Sequence, residues 1–211
     1  EMWNAVSDKD KNDSDFTGFL VQTDYQAKQT GFIQPYADSP MDHEQVGEEV
    51  YISMVNKAEK YCWFMTPYLI ITDEMSHALC LAAKRGVDVR IITPGIPDKK
   101  MIYNITRSFY HGLVKHGVRI YEWTPGFCHA KISVADDCMA TCGTINLDYR
   151  SLYHHFENGC FMADCQAVLD IRNDLAATMD ECREVTEQYS TGRSAYLRLG
   201  QLFMRLFAGL L

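Results

Sequence analysis

A chain of 211 residues, 47% of them hydrophobic, can bury one substantial core and is slightly long for a single domain, so one domain with appendages is expected. The net charge of −8 comes from residues 1–50, with 11 acidic and 3 basic side chains, whereas residues 51–211 carry 17 of each sign. A neutral body counts against a nonspecific nuclease, which neutralises many phosphates with Lys and Arg, and with no run of 18 or more apolar residues the chain as it stands is not expected to span a membrane.

Eight cysteines stand mostly in apolar stretches, without framework spacing and with no secretory signal ahead of them. They read as reduced core thiols of a cytosol-facing protein. Zinc is not expected: Cys138, Cys142, Cys160, Cys165, His154 and His155 cluster loosely, but no CxxC or HxxxH pair is present. The first residue is Glu rather than Met, which points to an excerpt of a longer protein.

In chain order, residues 7–15 are too polar to fold alone and read as a linker. Val46, Val50, Met54, Val55 and Ala58 fall at helical spacing, predicting a helix over 44–60. Residues 61–66 (YCWFMT), closed by Pro67, read as a buried strand. Thr72 or Asp73 caps a second helix running to Lys84, with Gly86 as its stop, followed by a buried strand over 87–93. A turn at 94–98, a helix over 101–115 ending near Gly117 and a strand over 118–123 complete the alternation. Helices alternating with buried strands imply a layered α/β fold with parallel strands. A hairpin over 128–142 and a strand over 156–163, without long helices between them, make the sheet mixed; a helix follows over 164–182.

Residues 127–157 carry the chemistry. His129 is followed by Lys131, Asp136 and a Gly143-Thr144-x-Asn146 turn. Ile132 and Val134, then Met139 and Thr141, read as two strands hinged at Asp136-Asp137, so His129 and Lys131, two apart, share a face. An imidazole, an ammonium, hydrogen-bond donors on Thr144 and Asn146, and a glycine that lets backbone approach make a set suited to a phosphate.

His129-x-Lys131-x4-Asp136-x6-Gly143-Thr144-x-Asn146 resembles the HKD motif of the phospholipase D superfamily. The flanking Pro125-Gly126-Phe127 and Asn146-Leu147-Asp148-Tyr149-Arg150-Ser151 look like the bacterial cardiolipin synthases within it, and the resemblance runs from Gln34 through the tail. It implies a phospholipase D-like α/β/α domain with a mixed, largely parallel sheet over residues 31–190. Residues 1–30 would be the end of a preceding domain plus a linker, since Met2-Trp3-Asn4 is similar to the close of the family's first half.

The resemblance further implies transfer of a phosphatidyl group between two phosphatidylglycerol molecules through a phosphohistidine, without metal or other cofactor. Two histidines are needed, so the second HKD motif would come from an N-terminal half or from a second copy of the chain. His129 would be nucleophile or general acid, with Lys131, Asn146 and Thr144 on the phosphate oxygens. Glu157 is similar to the family's downstream Glu that orients the imidazole and raises its pKa; pairing with Arg150 is the competing assignment. Asp136 braces the hairpin. Tyr68 can contact phosphate or headgroup from the strand edge. His154 or His155 lines the pocket, whereas His43, His77, His111 and His116 are structural.

An anionic membrane surface is the expected partner, at the cytoplasmic face of the cell membrane, and no nucleic acid. Residues 191–211 form an amphipathic helix with Tyr196, Leu199, Leu202, Phe203, Leu206, Phe207 and Leu210 on one face and Arg198 and Arg205 beside it. It lies in a membrane interface or docks on protein. The alternative function is a phosphodiester hydrolase or nuclease acting as a homodimer.

Overall fold

Successive strand residues point to opposite faces of a sheet, and here both faces are apolar. Phe64, Ile91 and Ile120 enter one core with Met54, Leu79 and Leu113, while their neighbours Met65, Ile92 and Tyr121 enter another with Val134, Val168 and Leu175. A sheet buried on both sides requires helices on both. The computed structural model, which describes residues 17–19, 26 and 28–190, has this architecture. The chain divides into two units, residues 1–30 and 31–211; of the first, the described part contains a short 3-10 turn, Thr17–Phe19. The residues of the expected amphipathic tail helix lie outside the described ones.

The second unit runs β1 (Phe32–Asp38), α1 (Val46–Lys57), β2 (Tyr61–Met65), β3 (Leu69–Ile70), α2 (Asp73–Lys84), β4 (Asp88–Pro94), α3 (Lys100–Val114), β5 (Arg119–Trp123), β6 (Ile132–Ala135), β7 (Met139–Gly143), β8 (Leu147–Asp148), α4 (Tyr149–Tyr153), β9 (Glu157–Ala163), α5 (Gln166–Asp180), β10 (Cys182–Glu184) and α6 (Thr186–Ser190). The main sheet has the order β1-β9-β7-β6-β2-β4-β5-β10, and β3 pairs with β8 beside it. Thr72 caps α2 by accepting from Met75 N, and Gly86 and Gly117 take positive φ after α2 and α3, as expected.

The α/β layering and the mixed sheet are as predicted, but the parallel part of the main sheet is confined to β2-β4-β5. The helices between β2 and β4 and between β4 and β5 join sheet neighbours, whereas those between β1 and β2 and between β9 and β10 join strands that are not adjacent, and β1, β6, β7, β9 and β10 all pair antiparallel with their neighbours. Edge strand β1 was not foreseen. It contains Pro35, which edge strands tolerate, and most of it is exposed, so it lacks the apolar alternation that marks a strand. The cysteines are less buried than expected: all eight are free, but only Cys62 and Cys128 are buried and Cys142 is exposed.

Two carboxylates lock this arrangement around the site. Buried Glu122 on β5 binds Arg107 of α3 and Arg183 of β10, each at 2.6 Å, tying both elements to one strand end. Asp136, with Asp137, turns the β6–β7 hairpin at positive φ (53° and 61°), a turn type that Asp tolerates. Its carboxylate accepts the N–H groups of Glu59 at 2.7 Å, Lys60 at 2.9 Å and Tyr61 at 2.8 Å. The bracing role expected of Asp136 is thus what the geometry provides, and the whole of β6 separates it from Lys131. Asp136→Ala should cost about 1–2 kcal/mol, since it removes a charged acceptor shared by three N–H groups, two of them exposed to water, and leaves a residue without local hydrogen bonding at positive φ; urea denaturation checks this, and a loss below about 0.5 kcal/mol would refute it.

Candidate active site

The antiparallel register Met65↔Ile132 makes β6 begin where β2 and its parallel neighbours end. Ligands of α/β sheets gather at such carboxyl ends. His129 and Lys131 stand just ahead of β6 and not, as their spacing predicts, within the strand; Lys131 O is held by Gly143 N at 3.2 Å. Their shared face survives the correction. Lys131 Nζ lies 2.8 Å from His129 Nδ1 and donates to the His129 carbonyl at 2.7 Å. The same ammonium lies 3.3 Å from Nε2, and because it has only donors, the ring nitrogen that meets it accepts.

Desolvation, followed by the Lys131 charge, holds the His129 pKa below the usual histidine range, with Asp98 pulling the other way. Burial likewise lowers Lys131, against the pull of Glu157 and Asp148. The imidazole is therefore biased towards its neutral form. Burial pushes the adjacent Cys128 thiol up to about 11, which keeps it protonated at neutral pH. Tyr68 stands edge-on to His129 with ring centroids 6.3 Å apart, donating its hydroxyl to Asp98 at 2.6 Å, and Phe127 lies 5.8 Å from the imidazole on the same measure.

Glu157 starts β9, as expected, but does not contact His129. Its carboxylate accepts the Thr144 hydroxyl and lies 3.7 Å from His155 Nδ1. Nor does it pair with Arg150, which donates to His155 Nε2 at 2.8 Å. A raised His129 pKa was predicted from a Glu157 contact; the neighbour is instead a cation, and the shift is downward. Thr144 is also engaged on its other side, accepting from Asn158 N at 3.0 Å. Gly143 makes room for protein rather than for substrate: a Cβ there would meet the Asn158 carbonyl and stand 2.7 Å from Gly159 Cα on β9.

Asn146 donates through Nδ2 to Ser151 Oγ at 3.0 Å, while its Oδ1 is buried without a partner. Thr66 organises this side of the site. Its buried hydroxyl donates to the Tyr68 carbonyl at 2.8 Å and accepts from Leu147 N at 3.1 Å, joining the end of β2 to the motif turn. Asn146, Asp148, Arg150, His155, Glu157 and Tyr68 then line one cleft of about 580 Å³ together with Lys99 and Met101, whereas His129, Lys131 and Thr144 are not in its lining. That volume lies in the range of small-molecule sites. Asp148 caps α4 by accepting from Ser151 N, and burial raises its pKa.

Nothing in the local sequence singles out Thr66, Asp98 or Lys99 for the site, whereas Asp148 and Ser151 belong to the flanking stretch that carries the resemblance. His155 lines the cleft and His154 does not. His111 and His116 bond backbone carbonyls, at Tyr189 and Gly112, both at 2.8 Å. Among the described residues no group of three or more His, Cys, Asp or Glu is placed to hold a metal, and no helix is long and apolar enough to cross a membrane.

A family profile described as the cardiolipin synthase, PLD-like domain matches residues 51–179, the span that contains His129, Lys131, Asn146 and Glu157. The chain belongs to this family. It is 46% identical over 211 residues to an uncharacterized protein of Streptococcus mutans, matching all of this chain and 45% of that one. It is 32% identical over 184 residues to a cardiolipin synthase of Halalkalibacterium halodurans, covering 87% of this chain and 37% of the relative. The chain thus spans less than half the length of these curated relatives. Among solved structures, Nuc from Salmonella typhimurium, a phospholipase D family member, superposes with a TM-score of 0.62 at 17% identity, over 74% of this chain and 98% of that one. At that identity the likeness is one of fold.

For this phospholipase D-like site the His129–Lys131 contact yields a pH prediction. Removing the ammonium removes a charge that disfavours the imidazolium, so Lys131→Met should move the His129 pKa upward. NMR titration of the His129 ring resonances reads the shift; an unchanged or lower value would show that Lys131 does not govern the ring.

Proposed function

We propose that this chain is the C-terminal catalytic half of a cardiolipin synthase, transferring a phosphatidyl group from one phosphatidylglycerol to another with release of glycerol. The observation that carries the reading is the His129–Lys131 pair, with His129 against the ring of Tyr68, a residue that also lines a cleft with cationic, amide and apolar walls. Such a lining suits a phosphodiester with its headgroup and the start of its acyl chains. A second histidine comes from the missing half or from a second copy of the chain.

In the first step an imidazole nitrogen of one histidine forms a bond to phosphorus, and the bond from phosphorus to the glycerol oxygen breaks as the other histidine gives that oxygen a proton. In the second, the latter takes the proton of the incoming hydroxyl, whose oxygen displaces the histidine. His129 acts as the acid and base. Substrate binding prepares it: Lys131 turns from the ring to the nonbridging oxygens, and the phosphate charge beside the imidazole raises its pKa. A half-turn of the Asn146 amide lets Oδ1 accept from Ser151 and points Nδ2 at the phosphate. Glu157, through Thr144 and His155, holds the wall of the cleft. The chain works at the cytoplasmic face of an anionic membrane. Residues 1–30 serve as a link to the preceding half.

The homodimeric hydrolase is the second reading; Nuc, a phospholipase D family member, shows that one copy of this fold can make up nearly a whole chain. Phosphatidylglycerol turnover in mixed micelles separates the two. Cardiolipin and glycerol should form when the chain is combined with the N-terminal half of a full-length relative, and His129→Ala should lower the rate at least about 1000-fold. Phosphatidic acid as the main product would favour the hydrolase, and unimpaired turnover by His129→Ala would overturn the assignment of the site.

A further inference from the structure

The cleft is larger than one phosphodiester requires, and its charges are unequally engaged. Glu157 is occupied by the Thr144 hydroxyl. Asp148 accepts from Ser151 N, and burial shifts it towards its neutral form. The cations are open. Lys99, ahead of α3, and Arg150, on α4, face the same cleft and are both exposed. Among the described residues neither forms an ion pair, and Arg150 spends only Nε, on His155. An anion entering here meets two cations whose donors are free, and a guanidinium with both terminal nitrogens available can grip a phosphate in two-pronged fashion.

The chemistry of the proposed transfer says which anion belongs there. The acceptor hydroxyl and the acceptor's own phosphate sit on one three-carbon glycerol, so the second phosphate must lie within a glycerol's length of the reacting phosphorus and on the same surface. The cleft adjoins the His129–Lys131 pair through Tyr68, whose ring faces His129, and through Glu157, whose charge acts on Lys131. We infer that Lys99 and Arg150 form a second phosphodiester site, which holds the phosphate of the acceptor lipid and selects a phosphorylated glycerol over water or free glycerol as acceptor. This inference rests on the transferase reading of the same site.

Binding by this chain of two soluble headgroups without acyl chains tests it without requiring turnover. Glycerophosphoglycerol carries one phosphodiester, and bis(glycerophospho)glycerol carries two joined through a glycerol. Isothermal titration should find the second bound about tenfold or more tightly than the first, the scale of one added charge-assisted contact. The double variant Lys99→Gln/Arg150→Gln should reduce that preference to about twofold or less, leaving affinity for the single phosphodiester within about twofold, and each single variant should fall between. A wild-type preference below about twofold, or one that survives in the double variant, overturns the inference. Lys131→Met reports separately on the reacting site: it should weaken both headgroups, and unchanged binding there would count against the transferase reading, not against Lys99 and Arg150.

Discussion

The pairing of β6 against β2 in antiparallel register is the constraint on which the site depends. Met65↔Ile132 makes the motif enter the sheet at the edge where β2, β4 and β5 leave it. Had β6 run parallel, His129 and Lys131 would stand at the opposite edge, far from Tyr68 and the loop that carries Lys99. A slip of one residue would turn Ser133 and Val134 each towards the wrong core. Asp136 guards against such a slip, because its three backbone donors come from the residues that lead into β2.

Carboxylates in this fold are mostly structural fasteners. Asp38 accepts Gly47 N at the start of α1, Asp136 holds the approach to β2, Asp148 caps α4 and Glu122 joins two arginines. Buried Glu48 takes the hydroxyls of Thr72 and Tyr153. For buried Asp38, Glu48, Glu122 and Asp148 these donors meet the condition for keeping an acid in a core. The cations near the cleft are not spent this way. The body is neutral by count, yet among the described residues the carboxylates that line its cleft are engaged by hydroxyl or amide donors while Lys99 and Arg150 form no ion pair.

The sequence was most legible where local chemistry decides. The Thr72 cap, the glycines after α2 and α3, the continuous apolar strands and the spacing of the motif all follow from rules that act over a few residues. It was least legible where partners lie far apart in the chain. That Glu157 would meet Thr144 and not the imidazole depends on how β9 packs beside the motif turn, and no spacing encodes this. The same holds for Lys99, brought to the cleft by α3, which Arg107 anchors to Glu122. The depressed His129 pKa follows from desolvation and a neighbouring cation, and burial cannot be read from residue identity.

Edge strand β1 has one neighbour in the sheet, β9, and Asp38 there pairs with Glu157. During synthesis from the N-terminus β1 emerges long before β9 exists, with Phe32 and Ile33 exposed even in the finished fold. The parallel centre can close through its own crossovers while β1 and the outer side of β7 still lack a partner. Completion of the sheet and delivery of Glu157 to the site are then a single late event, so a nascent chain that stops short of β9 presents an unpaired apolar edge and an unfinished site together.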